Sequence, residues 1–334
     1  MRAIAESAGV SVQAVSLALR NHPSIGPETR ERIQALARKL GYAPDPQLVK
    51  LMHHLRDRSQ RKITSTICFI TTRPPTAKEA YCDLLLEGAS EAAQLAGFSF
   101  KVVHVEPDKM TGSQLQRMLR ARGVEGLLLL PMVDLRPLDA LLDWREFCVV
   151  SATLSVPSPQ FDQVVADHFF NMFGLCERLQ AAGYRRPGLV IYAEHDKRCG
   201  YHPTAALAWH GVYGGIEPTR AHRLERLDHA ALRRWLKVER PDILLPAHDE
   251  LAFELRKQSA LTGRLPIVSC SVRPSPDNVF PFLGNYDNPR EIGAVAVETL
   301  ARKIAIGQRG VPANPHTTLI RGAWVNGPGI PPRT

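Results

Sequence analysis

Apolar and polar positions fall into two regimes along the 334-residue chain. Over the first 42 residues, apolar side chains recur three and four apart, the spacing of amphipathic helices. A first helix is expected over about Arg2–Ala8, stopping at Gly9, a residue suited to a left-handed turn. Ser11 is placed to cap a second helix reaching about Leu19, broken by Asn21-His22-Pro23. Pro27 sits at the first turn of a third, PETRERIQALARKLG, with Ile33, Leu36, Ala37 and Leu40 on one face. Asp45 and Pro46 then open a short helix to about Leu55, and Arg56–Lys62 reads as a linker.

From Ile63 the pattern changes. Apolar runs of strand length (TICFIT, FKVVHV, GLLLL, FCVVS, GLVIY, DILLP, PIVSCS) alternate with helical segments. Those segments include AYCDLLLEGASEAAQLAG, SQLQRMLRARG, RPLDALLDW, FFNMFGLCERLQAAG, Ala205–Val212, ELAFELRKQSALTG and REIGAVAVETLARKIAIG. Strands apolar on both faces between helices predict parallel sheet, doubly wound. The expected fold is a small all-α helical head followed by an α/β body of two doubly wound parallel-sheet subdomains. Its parts are a head at 1–44, a hinge helix and linker at 45–62, and a body at 63–328. The body divides into subdomains at about 63–160 and 161–285, with chain crossovers near 285–328.

Charge sharpens this division. The formal net charge is +9, and residues 1–62 hold 11 Lys+Arg against 5 Asp+Glu. A basic module ahead of a near-neutral body points to a polyanionic partner. The six cysteines are dispersed with no CxxC and read as reduced thiols. MRAIAESAG has no continuous apolar stretch of the signal-peptide kind, and no apolar run approaches membrane-spanning length. A cytoplasmic protein with no membrane partner is therefore expected, and a secreted binding protein is disfavoured.

The stretch IAESAGVSVQAVSLAL explains why the chain opens on small residues. Ala5, Gly9, Val10 and Val15 have the spacing of a helix-turn-helix, in which small residues let two helices cross at a tight turn. The second helix then presents Val12, Gln13 and Leu17 outward, as a helix entering the DNA major groove does. IAESAGVSVQAVS, PETRERIQALARKLGYAPDP, Leu51, PAHDELAFEL and NYDNPREIGAVAVETL together make the chain similar to the lac/galactose repressor family of transcriptional regulators.

The resemblance implies a homodimeric, sequence-specific regulator, a repressor, on a near-palindromic double-stranded operator. It also implies a periplasmic-binding-protein-like body that closes around a small effector, a carbohydrate in well-known members. Val12, Gln13 and Leu17 become base readers. Gln suits adenine, and Val or Leu suits a thymine methyl. Arg often stands where Leu17 is, so known operators do not carry over. Ser11, Ser16, Arg20, Asn21 and Thr29 become phosphate contacts, with helix capping the alternative for the hydroxyls. Leu51, with Met52 beside it, becomes the hinge wedge in the minor groove, or part of one apolar helix face. Members usually carry a few more residues before the position of Met1, including a capping threonine. Dimerisation is expected partly through the helix over Ala80–Ala96 and its late counterpart.

For the effector, the resemblance singles out Asp249, with Tyr81, Thr72, Phe169 and Asp287 as further candidates. Ala205 replaces the arginine usual four residues before Trp209, and Arg198 or His202 is left to substitute. An effector-independent regulator with a degenerate pocket therefore stays open as the alternative. His195, Cys199 and His202 in HDKRCGYH lack the tidy pairs of a structural zinc site and read as a surface loop. No phosphate-cradling loop or nucleophile elbow is present, so neither cofactor, metal nor enzymatic activity is expected.

Overall fold

The structure is a computed structural model. It describes residues 2–11, 14–15, 18, 25–39, 65–77, 79–106, 110–133, 135, 137–217, 219–263, 265–274, 281–325, 330 and 332–333. Val12, Gln13, Ser16, Leu17, Arg20, Asn21, Leu51 and Met52 lie outside the described residues, as do the expected hinge helix and linker.

The head contains α1 (Arg2–Ala8) and α2 (Pro27–Lys39), with Ala14, Val15 and Ala18 helical between them. Its core is Ile4, Ala5, Val15, Ala18, Ile33 and Ala37, with Val10 and Leu36 packed against it. Gly9 takes φ +63°, a left-handed turn that a side chain would strain. The Ser11 hydroxyl accepts the Ala14 N–H at 3.1 Å, so Ser11 caps the second helix. Thr29 is half-buried in the first turn of α2. Arg32 and Gln34 of α2 donate to the Ala8 and Ala18 carbonyls and tie the three helical segments together.

The first lobe is a six-stranded parallel sheet in the order β10-β5-β4-β3-β1-β2. Its strands are β1 (Ser65–Thr71), β2 (Phe98–His104), β3 (Val124–Leu129), β4 (Cys148–Ser151), β5 (Asp162–Ala166) and β10 (Thr317–Ile320). The runs of β1, β3, β4 and β5 are buried on both faces, as a parallel sheet between helices requires, while β2 and β10 lie at the edges and are more exposed. One face packs α3 (Ala80–Leu95) and the late helix α9 (Pro289–Ile306) through Leu85, Ala89, Ile292, Ala296 and Leu300. The other packs α4 (Gly112–Ala121) through Leu115 and Leu119, together with Trp144 and Phe161. Because β5 pairs here, the first sheet extends past residue 160, and the chain leaves this lobe after Ala166.

The second lobe is the parallel sheet β7-β6-β8, from His222–Leu224, Pro187–Tyr192 and Ile243–Pro246. It is flanked by α5 (His168–Ala181), α6 (His202–Val212), α7 (His229–Glu239) and α8 (Asp249–Lys257). An antiparallel pair, β9 (Gly284–Tyr286) with β11 (Ala323–Val325), joins them. The fold is thus a helical head and a periplasmic-binding-protein-like body of two α/β lobes.

Three local expectations fail. Among its described residues RPLDALLDW forms turns, with one 3-10 turn at Trp144–Glu146. Leu138 donates to the Ser158 carbonyl at 2.6 Å, and the Asp143 N–H to the Gln116 side chain at 2.8 Å, so tertiary bonds replace helical ones. PIVSCS makes only isolated bridges, Ile267 to Leu244 and Ser269 to Gly284. Helix α7 was unexpected. Asp228, accepting the Ala230 and Ala231 N–H groups, marks its start as a cap.

Two buried features hold the late helix in place. Lys303, fully buried on α9, pairs with Asp162 at the start of β5, and Asp162 also accepts the His316 N–H at 2.9 Å. α3 and α9 cross backbone to backbone at two glycines. A Cβ at Gly293 would lie 2.1 Å from the Leu85 carbonyl oxygen, and one at Gly88 2.0 Å from that of Arg290. Gly293→Val should force the helices apart and cost about 1–3 kcal/mol in chemical denaturation, as overpacking does. A value near zero would show that the crossing relaxes freely.

Candidate functional site

A cavity of about 100 Å³ lies where strand ends of the two sheets face each other. A single water needs roughly 10–15 Å³ by this kind of measure, so the space admits a small solute. Many of its walls are residues at or soon after strand ends: Pro131 and Met132 after β3, Ala152–Ser155 after β4, His168 after β5, Ala247 after β8 and Asp287 after β9. Carboxyl ends of parallel strands are where open α/β sheets bind ligands, because the crossovers diverge there.

Each polar wall residue is placed by its neighbours. Tyr81 comes from the first turn of α3, and its ring lies under the Arg273 guanidinium at 5.9 Å. Asp287 accepts from Asn171 at 2.8 Å and from the Ser271 hydroxyl at 2.6 Å. Arg198 ends a short helix, Ala193–Arg198, and approaches the Met132 carbonyl at 3.4 Å across the lobes. Tyr81, Asp287 and Arg198, chosen from the sequence, are thus brought together around one cavity.

Three other expectations are corrected. Asp249 begins α8 directly after β8, as anticipated, but it does not line the cavity. Its two oxygens are taken by Arg273, at 2.7 Å from the guanidinium and 3.0 Å from the backbone N–H. Arg273 is the group that lines the cavity, so Asp249 acts on the site by holding that cation. Thr72 also lies outside the lining, because its hydroxyl accepts the Val133 N–H at 3.0 Å and pins the loop after β3. Phe169 is 38% exposed and stacks on Phe173 with centroids 6.1 Å apart. Helical geometry explains this: His168, Asn171 and Met172 turn inward from α5, while Phe169 and Phe170 turn out. The loop reading of HDKRCGYH is likewise corrected. Residues 193–198 are helical, and His195, Arg198 and Cys199 line the cavity, with Cys199 buried. Ala205 and Trp209 are exposed and line no part of it, so Arg198 is the arginine that enters from this region.

Asn171, His168, Ser271 and Arg273 were missed. Arg273 had a signal, since a lone arginine beside SCS after a strand could only be buried with carboxylate partners. Burial of Asp249 raises its carboxyl above the ordinary range against the opposing charge of Arg273, and Glu250 adds to the rise. For Glu250, burial is outweighed by the His248 hydrogen bond and Arg273, which hold it well below that range. His248, Asp249 and Glu250 are the potential metal donors that converge among the described residues. Their carboxylates already face Arg273, a poor fit for a cation.

Asn171 also ties the lobes together. Its side chain donates to Asp287 and accepts the Gly322 N–H, both at 2.8 Å, and its carbonyl accepts from Asn285 at 2.8 Å. All three chain crossings between the lobes therefore meet at one buried amide.

The class defined by this geometry is a two-lobed, cleft-bearing body with a helical head. Comparison with known proteins agrees. Residues 1–45 match the family model described as bacterial regulatory proteins, lacI family. The sucrose operon repressor of Escherichia coli is 25% identical over 262 residues, covering 76% of each chain. The transcriptional repressor CytR of Escherichia coli strain K12 is 23% identical over 203 residues, covering 60% of this chain and 56% of that one. Among solved structures, the lac repressor dimer bound to operator and the anti-inducer ONPF aligns with a TM-score of 0.57. It has 18% identity and coverage of 97% of this chain and 96% of that one. The regulator CelR in complex with cellobiose aligns with a TM-score of 0.59 at 18% identity, covering 97% of both. The head thus matches the lacI family model over residues 1–45, and the chain as a whole shares the fold of these solved regulators. No helix among the described residues is long and apolar enough to cross a membrane.

Asn171→Ala should leave the Gly322 N–H unpaired and Asp287 with one partner fewer, costing about 1–3 kcal/mol per stranded group. Thermal unfolding of the variant checks this; an unchanged midpoint would show that water replaces the amide.

Proposed function

We propose that the chain is a homodimeric, sequence-specific repressor of a near-palindromic DNA site. Its affinity for that site is set by a small molecule held between the two lobes. The head match over residues 1–45 and the basic excess of residues 1–62 support the DNA half. In this reading Val12, Gln13 and Leu17 read bases and Ser16, Arg20 and Asn21 hold phosphates. Ser11 caps its helix and presents that helix end to the backbone, Thr29 contacts phosphate from α2, and Leu51 with Met52 wedges the minor groove.

One observation carries the effector half. The Nε atoms of Arg198 and Arg273 are buried without hydrogen-bond partners, and both residues line the cavity. Buried donors are seldom left unpaired, so oxygens of a ligand are the natural acceptors. Met132, Met172 and Cys270 would receive its apolar body. This favours an effector-responsive regulator over one with a degenerate pocket.

Selection of bound DNA from a random pool by the full chain, repeated without residues 1–62, tests the DNA half. A palindromic consensus that needs the head supports it; no enrichment by a folded dimer would overturn it. Leu17→Arg should change the selected bases while leaving non-specific affinity within about twofold, since Arg reads guanine where Leu cannot. In a thermal-shift screen of small molecules, Arg198→Gln should weaken any stabilising compound about tenfold or more, the loss of one charged hydrogen bond. An unchanged response in that variant would remove Arg198 from the site.

A further inference from the structure

Cys199 stands apart from the other five cysteines. Burial pushes those thiols up, Cys68, Cys82 and Cys176 to about 12, Cys148 to about 11, and Cys270 further. Cys199 is just as buried and lines the cavity. Its position at the carboxyl end of the helix Ala193–Arg198 disfavours a thiolate. Two imidazoles act against both effects. His195 Nε2 lies 3.6 Å from Sγ, and His168, at the start of α5, lines the same cavity. Burial raises the Cys199 thiol, but the charges and hydrogen bonds of these histidines more than reverse it, holding it well below the usual thiol range. Burial alone would lower His168. The facing Cys199 thiolate, with Asp287 and Asp167, instead holds it at about 9. Tyr81, Asp196 and His202 also face Cys199, His248 faces His195 at 5.4 Å, and Glu79, Arg198 and Arg273 line the same cavity.

A thiolate paired with an imidazolium is the arrangement that makes a cysteine nucleophilic. Here the pair faces a partly open, mostly apolar cavity that is also lined by Arg198 and by Arg273, a residue 6% exposed, whose buried Nε atoms both lack hydrogen-bond partners. Each element has a place in one reaction. We propose that Cys199 is a covalent attachment site for electrophilic small molecules, specifically α,β-unsaturated carbonyl compounds that enter the cleft. The Cys199 sulfur forms a bond to the β-carbon, and the C=C π pair moves to the α-carbon. The α-carbon takes its proton from the His168 imidazolium, leaving neutral His168 and a thioether. Nothing is oxidised or reduced and no group leaves. The carbonyl oxygen, negative in passing, accepts hydrogen bonds from the guanidinium groups of Arg198 or Arg273. That such an adduct would act as an effector rests on the reading of the cleft as an effector site; the nucleophilicity of Cys199 does not.

The test uses the full native chain with one equivalent of N-ethylmaleimide or of the smaller 2-cyclohexenone at pH 6, followed by peptide mass mapping. Cys199 should be modified first, at least about tenfold faster than Cys82 or Cys270, since at that pH an ordinary thiol is scarcely ionised. Labelling of Cys82 or Cys270 first, or of Cys199 only after urea, would overturn the proposal. His168→Gln should slow labelling of Cys199 about tenfold or more at pH 6, with the rate recovering as pH rises past the ordinary thiol range. A rate that the variant leaves unchanged at pH 6 would remove His168 from the pair. His195→Gln gives the same readout if that variant does not fold. Operator affinity before and after labelling tests the effector reading separately. A change supports that reading, and an adduct without any change counts against it while leaving Cys199 a demonstrated nucleophile.

Discussion

Three segments pass between the lobes, and one amide receives them all. Asn171 sits just after the first crossing, holds Asp287 at the second, and binds the Gly322 N–H at the third. Gly322 has no room for a side chain there, since a Cβ would lie 2.7 Å from the Asn171 amide nitrogen. A buried amide with its hydrogen bonds satisfied fixes geometry more strictly than apolar packing, because any slip strands a polar group. The cavity inherits that precision. Asp287 is at once a partner of this hub and a wall of the cavity. A ligand that touches Asp287 therefore touches the joint between the lobes, and so reaches whatever the lobes' relative position controls.

The late helix depends on the same return of the chain. It closes the first lobe from outside, crosses α3 at paired glycines, and buries Lys303 against Asp162. Such a buried pair contributes little net stability, yet losing either partner leaves a lone charge in the core. Helix, strand β5 and strand β10 are thereby locked in one register. α3 and the late helix are also the surfaces expected to meet a second copy, so close packing within one chain shapes the surface offered to another.

Chemistry in the cleft is set by a few opposed charges. Arg273 is neutralised from behind by Asp249 and Glu250, which leaves its Nε edge toward the cavity. Arg198 has one long contact to a carbonyl, and among the described residues no carboxylate pairs with it. His168, His195 and Cys199 make a second polar cluster on the same wall system. The lining thus sets guanidinium, imidazole and sulfur groups, the Asn171 amide and the Asp287 carboxylate against apolar surface.

Much of this was legible in the sequence, because it depends on local rules. Periodicity of three and four, Gly9 with its left-handed turn and Ser11 at a cap position give the head. Apolar strand runs alternating with helices give the parallel body, and the family resemblance puts Tyr81, Asp287 and Arg198 among the candidates that line the cavity. Tertiary structure alone decided the rest. RPLDALLDW has helical periodicity, but its Leu138 N–H finds the Ser158 carbonyl and its Asp143 N–H the Gln116 side chain. Phe169 and Asn171 are two residues apart, and only the docking of α5 determines which faces the cavity. Asp249 reads as a ligand contact until Arg273, twenty-four positions away, takes both its oxygens. Cys199 reads as a surface thiol until His168, from another crossover, is set against it. Sequence spacing determines what a segment can become. Which long-range partner satisfies each buried polar group is a property of the folded chain, because that partner is brought near only when the sheets have formed.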